Sequence, residues 1–345
     1  MAGENRRKQT RRIVVNVILL LIIIGMLYYV FHEDYREIIT SVANISLPAL
    51  LLLVAVGTGY QMLDAAASYT LIHSRFPGLR FRQAVELVYL SVFGNVAAFS
   101  VGVIPIQSYY LYRKGMRTGS GVGMLILRYV FHKSTIFFYA AVMLLVQNRW
   151  LRSVIPGLMK YIYLGFGICG AIALFLLLLC VSEKIQQLLL LAVGKIPDKG
   201  KWHDRKTVWT ENLEAFYQES RAAVGNPACC VKTAAWNVLK LTWLYAVPFL
   251  AMKALHISGL TFWEAQALTA IMYLITGVLP HVAGIGPTEL ALLTLFSDCI
   301  GRAAAYSALI LYRVATYFCP FLLSIGVFVK IKRDMGRDGF SVKNV

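Results

Sequence analysis

Apolar residues in this chain come in unbroken runs rather than at the spacing of an amphipathic helix or strand. The clearest runs are Ile13–Phe31, Leu47–Ile72, Val122–Val146, Pro156–Val181, Pro227–Met252 and Ala303–Val329. A helix needs ~20 apolar residues to cross ~30 Å of hydrocarbon, so each run predicts a membrane-spanning helix. The alternating ten-residue segments of a membrane barrel are missing. Ile13–Phe31 is too long for the core of a signal peptide, and Tyr28-Tyr29-Val30-Phe31-His32 offers no small-residue cleavage site. The pattern predicts an all-α polytopic membrane protein with about six full spans.

The polar positions orient these spans, because basic residues gather on cytoplasmic loops. Arg6, Arg7, Lys8, Arg11 and Arg12 place the N-terminal tail 1–12 in the cytoplasm. Arg75, Arg80 and Arg82 precede the apolar segment 84–112, and Arg113, Lys114 and Arg117 follow it. That segment must therefore enter and leave on one side, as a re-entrant hairpin or as two tight crossings. The loop 182–226 and the tail 331–345 are also basic, so the segment 261–302 must begin and end outside. The expected layout is one integral membrane domain, 1–345, in the cell membrane with both ends cytoplasmic. Its first half, 13–181, carries the hairpin 84–112, and its second half, 227–330, carries the hairpin 261–302.

The two hairpins share a pattern. "SVGVIPIQSYYLY" and "VAGIGPTELALLT" align Gly102 with Gly284, Pro105 with Pro287 and Gln107 with Glu289. Each is followed by a span with an intramembrane arginine, Arg128 in "LILRYV" and Arg313 in "LILYRV". Two similar hairpins entering from opposite faces predict an inverted repeat. Broken helices within a membrane are tolerated only where protein or a water-filled cavity satisfies the freed backbone. Pro287 suits a first helical turn, while Gly284 and Gly286 permit the sharp turn before it. The tip residues are thus Gly102, Pro105, Pro280, Gly284, Gly286 and Pro287.

Composition agrees with the pattern: 58% of the 345 residues are hydrophobic and 15% charged, against roughly 25% charged in soluble proteins. The net charge of +17 lies in short loops and tails beside the spans, as expected for a membrane surface rather than nucleic acid. None of the six cysteines forms a CxxC pair, so neither a metal site nor a disulfide framework is expected. There is no H-E-x-x-H, Walker A or G-x-S-x-G motif, and no catalytic residue or cofactor is called for. "TGSGVG" at Thr118–Gly123 follows no strand and is expected to be a loop opening a span.

Arg128 and Arg313 are expensive in hydrocarbon, which makes them candidates for holding a phosphate or other anionic head group. The alternative is structural ion pairing: Arg313 with Glu289, and Arg128 with Gln107 or a carbonyl. Glu289 could couple a proton or cation, or it could cap its half-helix, where the dipole favours a carboxylate. Gln107 and Glu289 complete the candidate substrate-binding set. Asp64, the one acid in its span, is an accessory candidate whose partner the sequence does not reveal. His132 and Lys133 could enlarge a basic pocket, or sit at the interface on a tilted helix. Lys232 and Lys240 are expected to snorkel to the cytoplasmic surface. "TVWTENLEAFYQESRAAVG" places Trp209, Leu213, Phe216 and Tyr217 on one face of an amphipathic helix, lying on the membrane or against the bundle.

"GVLPHVAGIGPTELALLTLF…LILYRVATYFCP" resembles the signature of the lysylphosphatidylglycerol synthase transmembrane-region family. The resemblance rests on Pro280, Gly284, Gly286, Glu289, Tyr312, Arg313 and Pro320. The sequence departs from the signature at His281-Val282-Ala283, and it has Gln107 where an acid is common. That last departure weakens the case for proton coupling through the first hairpin. His281 and Tyr312 join the accessory candidates. In multidomain relatives, the multiple peptide resistance factors, such a region is associated with flipping lysyl-phosphatidylglycerol, while a soluble domain transfers lysine from lysyl-tRNA. No counterpart of that soluble domain is evident in this sequence. The resemblance implies a phospholipid substrate, and as partner a lysyl-lipid synthase or cell-envelope enzyme. Lysyl transfer to phosphatidylglycerol is the rival activity.

Overall fold

The computed structural model describes residues 45–97, 102–195, 201–277 and 286–336, with positions 40, 43 and 279 besides. The expected first span, the tip residues Pro280 and Gly284, the accessory candidate His281 and both chain ends lie outside the described residues. Among the described residues all regular structure is helical. In chain order the helices are α1 (Leu47–His73), α2 (Phe81–Ala97), α3 (Val103–Arg113), α4 (Thr118–Val146), α5 (Asn148–Val154), α6 (Met159–Val181) and α7 (Glu183–Gly194). They continue with α8 (Lys201–Val224), α9 (Pro227–Ala254), α10 (Phe262–Thr276), α11 (Pro287–Ile300), α12 (Arg302–Arg313) and α13 (Cys319–Gly336). A π-helical turn, Val314–Phe318, joins α12 to α13.

Among the described residues, four stretches are long and apolar enough to cross a membrane: Leu47–His73, Thr118–Val146, Pro156–Val181 and Arg302–Asp334. Each contains one of the apolar runs. The run Pro227–Met252 forms the 28-residue α9, about 42 Å long at 1.5 Å per residue. Its lysines 232, 240 and 253 make it the most polar of the long central helices. The helices of the expected hairpins are short: 17 and 11 residues for α2 and α3, 15 and 14 for α10 and α11. At 1.5 Å per residue none reaches ~30 Å.

The two halves pack alike. Helices α1 and α9 lie along one another at the centre. Helix α2 packs against α13, and α10 packs against α4. Helix α2 thus leans on the stretch that follows Arg313, and α10 on the helix that carries Arg128. Phe93 of α2 stacks on Phe328 of α13 with ring centroids 4.1 Å apart. At the same seam Glu86 accepts hydrogen bonds from Tyr110 at 2.6 Å and Lys330 at 3.0 Å.

At the contact of α4 with α8 one expectation changes and one open alternative is decided. "TGSGVG" is no loop, because α4 begins at Thr118, and its Gly119 and Gly123 form a docking face for α8. A Cβ on Gly123 would lie 2.9 Å from the Ala215 backbone, and one on Gly119 would lie 3.3 Å from the Ala215 side chain. Small residues four apart let helix backbones approach this closely. The amphipathic helix therefore lies against the bundle: Phe216 and Tyr217 are buried, while Trp209 stays half exposed. Arg75 Nε donates to Glu219 at 2.8 Å and ties α8 to the end of α1.

The π turn meets α1 at a crossing without side-chain clearance. A Cβ built on Gly57 would fall 2.1 Å from the Ala315 carbonyl oxygen. Only glycine fits there, and the widened turn brings a backbone carbonyl to the place where α1 has none of its own side chain.

Candidate functional site

Three charged side chains from three helices meet in the centre of the bundle. Asp64 of α1 accepts from Lys240 Nζ of α9 at 2.9 Å through Oδ1, and from Arg128 Nη2 of α4 through Oδ2. Asp64 and Lys240 are buried, the latter with 2% of its surface exposed. Isolated, any of them would cost several kcal/mol at this depth. Together they give each carboxylate oxygen one cation, a geometry that offsets desolvation. The partner of Asp64, unreadable from the sequence, is this pair of cations.

The cluster corrects two expectations. Lys240 does not snorkel. It lies 13 residues beyond Pro227 at the start of α9, about 20 Å along the axis, too deep for its side chain to return to the surface. Arg128 meets neither Gln107 nor a carbonyl. Gln107 is buried and donates from Nε2 to the Leu87 carbonyl at 2.8 Å, so its amide ties the two arms of the first hairpin together.

His132, one turn beyond Arg128, lies within electrostatic reach of Asp64, Arg128 and Lys240, and its buried Nδ1 has no hydrogen-bond partner. It belongs to this cluster rather than to an interface. Tyr60, one turn before Asp64, presents its ring 6.0 Å from Lys240 Nζ. Beside the cluster is a cavity of about 200 Å³, walled by Tyr60, Gln61 and Asp64 of α1, Ser91 and Asn95 of α2, and Thr316 and Tyr317 of the π turn. Hydroxyl and amide groups share this lining with Val88, Val92 and Val96, and Asp64 is the member of the cluster that reaches it.

The second arginine is differently placed. Arg313 pairs through Nη2 with Glu289 Oε1. The other carboxylate oxygen accepts from the Gly286 backbone N–H at 2.7 Å and closes the first turn of α11. Pro287 occupies the first helical position, and Gly286 takes φ 114°, which favours glycine. Glu289 is thus both cap and counter-ion. Tyr312 shares a hydrogen bond with Tyr273 of α10, and the Arg313 guanidinium lies 5.4 Å from the Tyr317 ring centroid. This second pair holds one acid and one cation.

Lys133, the residue after His132, faces α10. Its Nζ donates to the Gly277 carbonyl at 2.9 Å, where α10 ends. It lines a second cavity of about 250 Å³ together with Tyr129, Phe137, Cys169, Tyr273, Leu274 and Gly277. This cavity is largely apolar. Its hairpin residues Tyr273, Leu274 and Gly277 align with Ser91, Val92 and Asn95 of the first cavity in the register that pairs Gly102 with Gly284.

Sequence reasoning missed Lys240 and Tyr60. Counting helical rise from Pro227 would have placed Lys240 at mid-span. No spacing rule would have paired it with Asp64, because that contact spans 176 positions.

Comparison with curated proteins finds no match. A family model described as the lysylphosphatidylglycerol synthase TM region matches residues 16–324. The match takes in α1 with Asp64, both arginine-bearing spans, Lys240 and the capped turn at Glu289. It extends over most of the chain, which therefore belongs to the lysylphosphatidylglycerol synthase TM region family.

Proposed function

We propose that this membrane protein is a lipid translocase, moving an anionic or aminoacylated phospholipid such as lysyl-phosphatidylglycerol, or a polyprenyl-phosphate carrier, between the leaflets of the cell membrane. The observation that carries the reading is the central cluster, in which the part-buried Arg128 and the buried Lys240 share one acid, Asp64, that itself lines a cavity of mixed polarity. Arg128 and Lys240 hold the phosphate, and Tyr60, Ser91 and Asn95 supply hydrogen bonds. Arg313 stays engaged with Glu289 and orders the second tip, while Gln107 braces the first hairpin.

The hairpins are re-entrant and form an inverted repeat around this site. Support comes from helices too short to span and from two cavities that use aligned positions of α2 and α10. The chain's partners in this reading are membrane phospholipid and a lysyl-lipid synthase or cell-envelope enzyme.

The test is head-group translocation by the full chain in vesicles, read as access of a fluorescent phosphatidylglycerol to a membrane-impermeant quencher. Lys240→Met and Arg128→Gln are expected to abolish it while the protein stays folded. Wild-type rates in both variants would defeat the proposal. The second reading, lysyl transfer to phosphatidylglycerol or membership in a complex that performs it, is favoured by the family's name alone. Lysyl-lipid formed by the purified chain from charged tRNA would establish it.

A further inference from the structure

The translocase reading leaves open which phosphate chemistry the central site accepts, and the charge count there bears on it. The carboxylate of Asp64 and the cations of Arg128 and Lys240 sum to one positive charge. Among the described residues, no second acid pairs with either cation. The other buried pair, Arg313 with Glu289, is already balanced and has no charge to lend. A buried site of low polarity is most favourable when its charges cancel, because any remainder is poorly solvated. One further negative charge completes this site and two overfill it.

Phosphate ligands fall into two classes on this criterion. A phosphodiester carries one negative charge at neutral pH. A phosphomonoester carries about 1.5 to 2, because its second ionisation lies near pH 6. We propose that Asp64 is the selectivity residue of this site: by cancelling one of its two cations it admits a phosphodiester lipid and disfavours a phosphomonoester. The inference rests on the translocase reading for its ligand and goes beyond it in dividing the candidate lipids by the charge on their phosphate. Asp64 faces the cavity beside Tyr60 and Gln61, so it also repels the second charge of a monoester at close range.

Substitutions then change the preference by arithmetic. Asp64→Asn raises the sum to two positive charges and should turn the site toward the monoester. Asp64→Asn combined with Lys240→Met returns the sum to one and should restore the diester. A merely structural role for Asp64 would weaken both ligands alike and would not be rescued by removing a cation.

The probes are dihexanoyl phosphatidylglycerol and dihexanoyl phosphatidic acid, which share acyl chains and differ in the ester class. Their affinities are measured on the purified full chain in detergent at pH 8. The wild type should prefer the diester by about tenfold or more, the least expected from one uncompensated charge at hydrogen-bond range. Asp64→Asn should reverse the order, and the double variant should recover it. If Asp64→Asn does not fold, the double variant and Lys240→Met still decide, the latter losing affinity for both lipids by about tenfold or more. Equal affinity of the wild type for the two lipids, or an unchanged order in the variants, overturns the selectivity role and leaves the lipid site standing. Failure of both lipids to bind the wild type overturns the site itself.

Discussion

Adding one methyl group at Gly57 is the most direct test of how the two halves cross. A Cβ there would stand 2.1 Å from the Ala315 oxygen and 2.5 Å from its carbonyl carbon. Carbon–oxygen contacts below about 3.0 Å are strongly repulsive, so α1 and the π turn would have to part by about 1 Å. The obstacle is backbone, which cannot swing aside as a long side chain could. Overpacking of this kind costs about 1–3 kcal/mol. Gly167 of α6 is the control, because a Cβ there meets nothing within 4 Å. Gly167→Ala should gain about 0.5–1 kcal/mol from helix propensity alone. Gly57→Ala receives the same gain and still ends less stable, so the two variants should differ by about 1–3 kcal/mol. Reversible unfolding in mixed micelles measures that difference directly. Equal stability of the two variants would refute the tight crossing and the role assigned to the π turn.

Other outcomes follow from the charged groups and the docking faces. Asp64→Ala leaves two cations without a counter-ion and should cost about 3–5 kcal/mol. Lys240→Met leaves a balanced Asp64–Arg128 pair and should cost about 1 kcal/mol or less; similar losses in micelle unfolding would contradict the charge count. Glu289→Ala removes both the cap at Gly286 and the partner of Arg313, whereas Glu289→Gln keeps an acceptor for the cap. Melting temperatures should therefore fall further for alanine, and the reverse order would remove the capping role. Gly123→Val should lift α8 from α4, seen as faster tryptic cleavage after Lys206 and Arg221 of α8 and unchanged cleavage elsewhere.

What could be read from the sequence depended on whether the signal was local. Apolar length alone located Leu47–His73, Thr118–Val146, Pro156–Val181 and Arg302–Asp334. The cap at Gly286, Pro287 and Glu289 was equally readable, because it is built from consecutive residues with known roles. Gln107 misled, because its alignment with Glu289 suggested a shared partner. An amide satisfied by the neighbouring helix carbonyl needs no cation, and a carboxylate does. The Asp64–Lys240 contact was out of reach for another reason: it depends on which faces α1 and α9 present to each other. The exposed faces of both helices are apolar as well, as at Leu51 and Leu52 of α1 and Val238 and Leu239 of α9, so no amphipathic stripe marks the faces that meet. The π turn left no trace either, since its sequence, "VATYF", would serve equally in an α-helix.

The ratio of two cations to one acid at the centre has a consequence for the electrical behaviour of the protein. Under the proposed reading the site is positive when empty and neutral when an anionic phosphodiester without an aminoacyl group, such as phosphatidylglycerol, occupies it. A membrane potential acts on net charge, with about 2.3 kcal/mol per elementary charge for each 100 mV crossed. The loaded site would turn between leaflets indifferent to voltage. The empty site would not, and an interior-negative potential would draw it back toward the cytoplasmic face. The resting membrane would thereby reset the protein for its next lipid, with no coupled ion required.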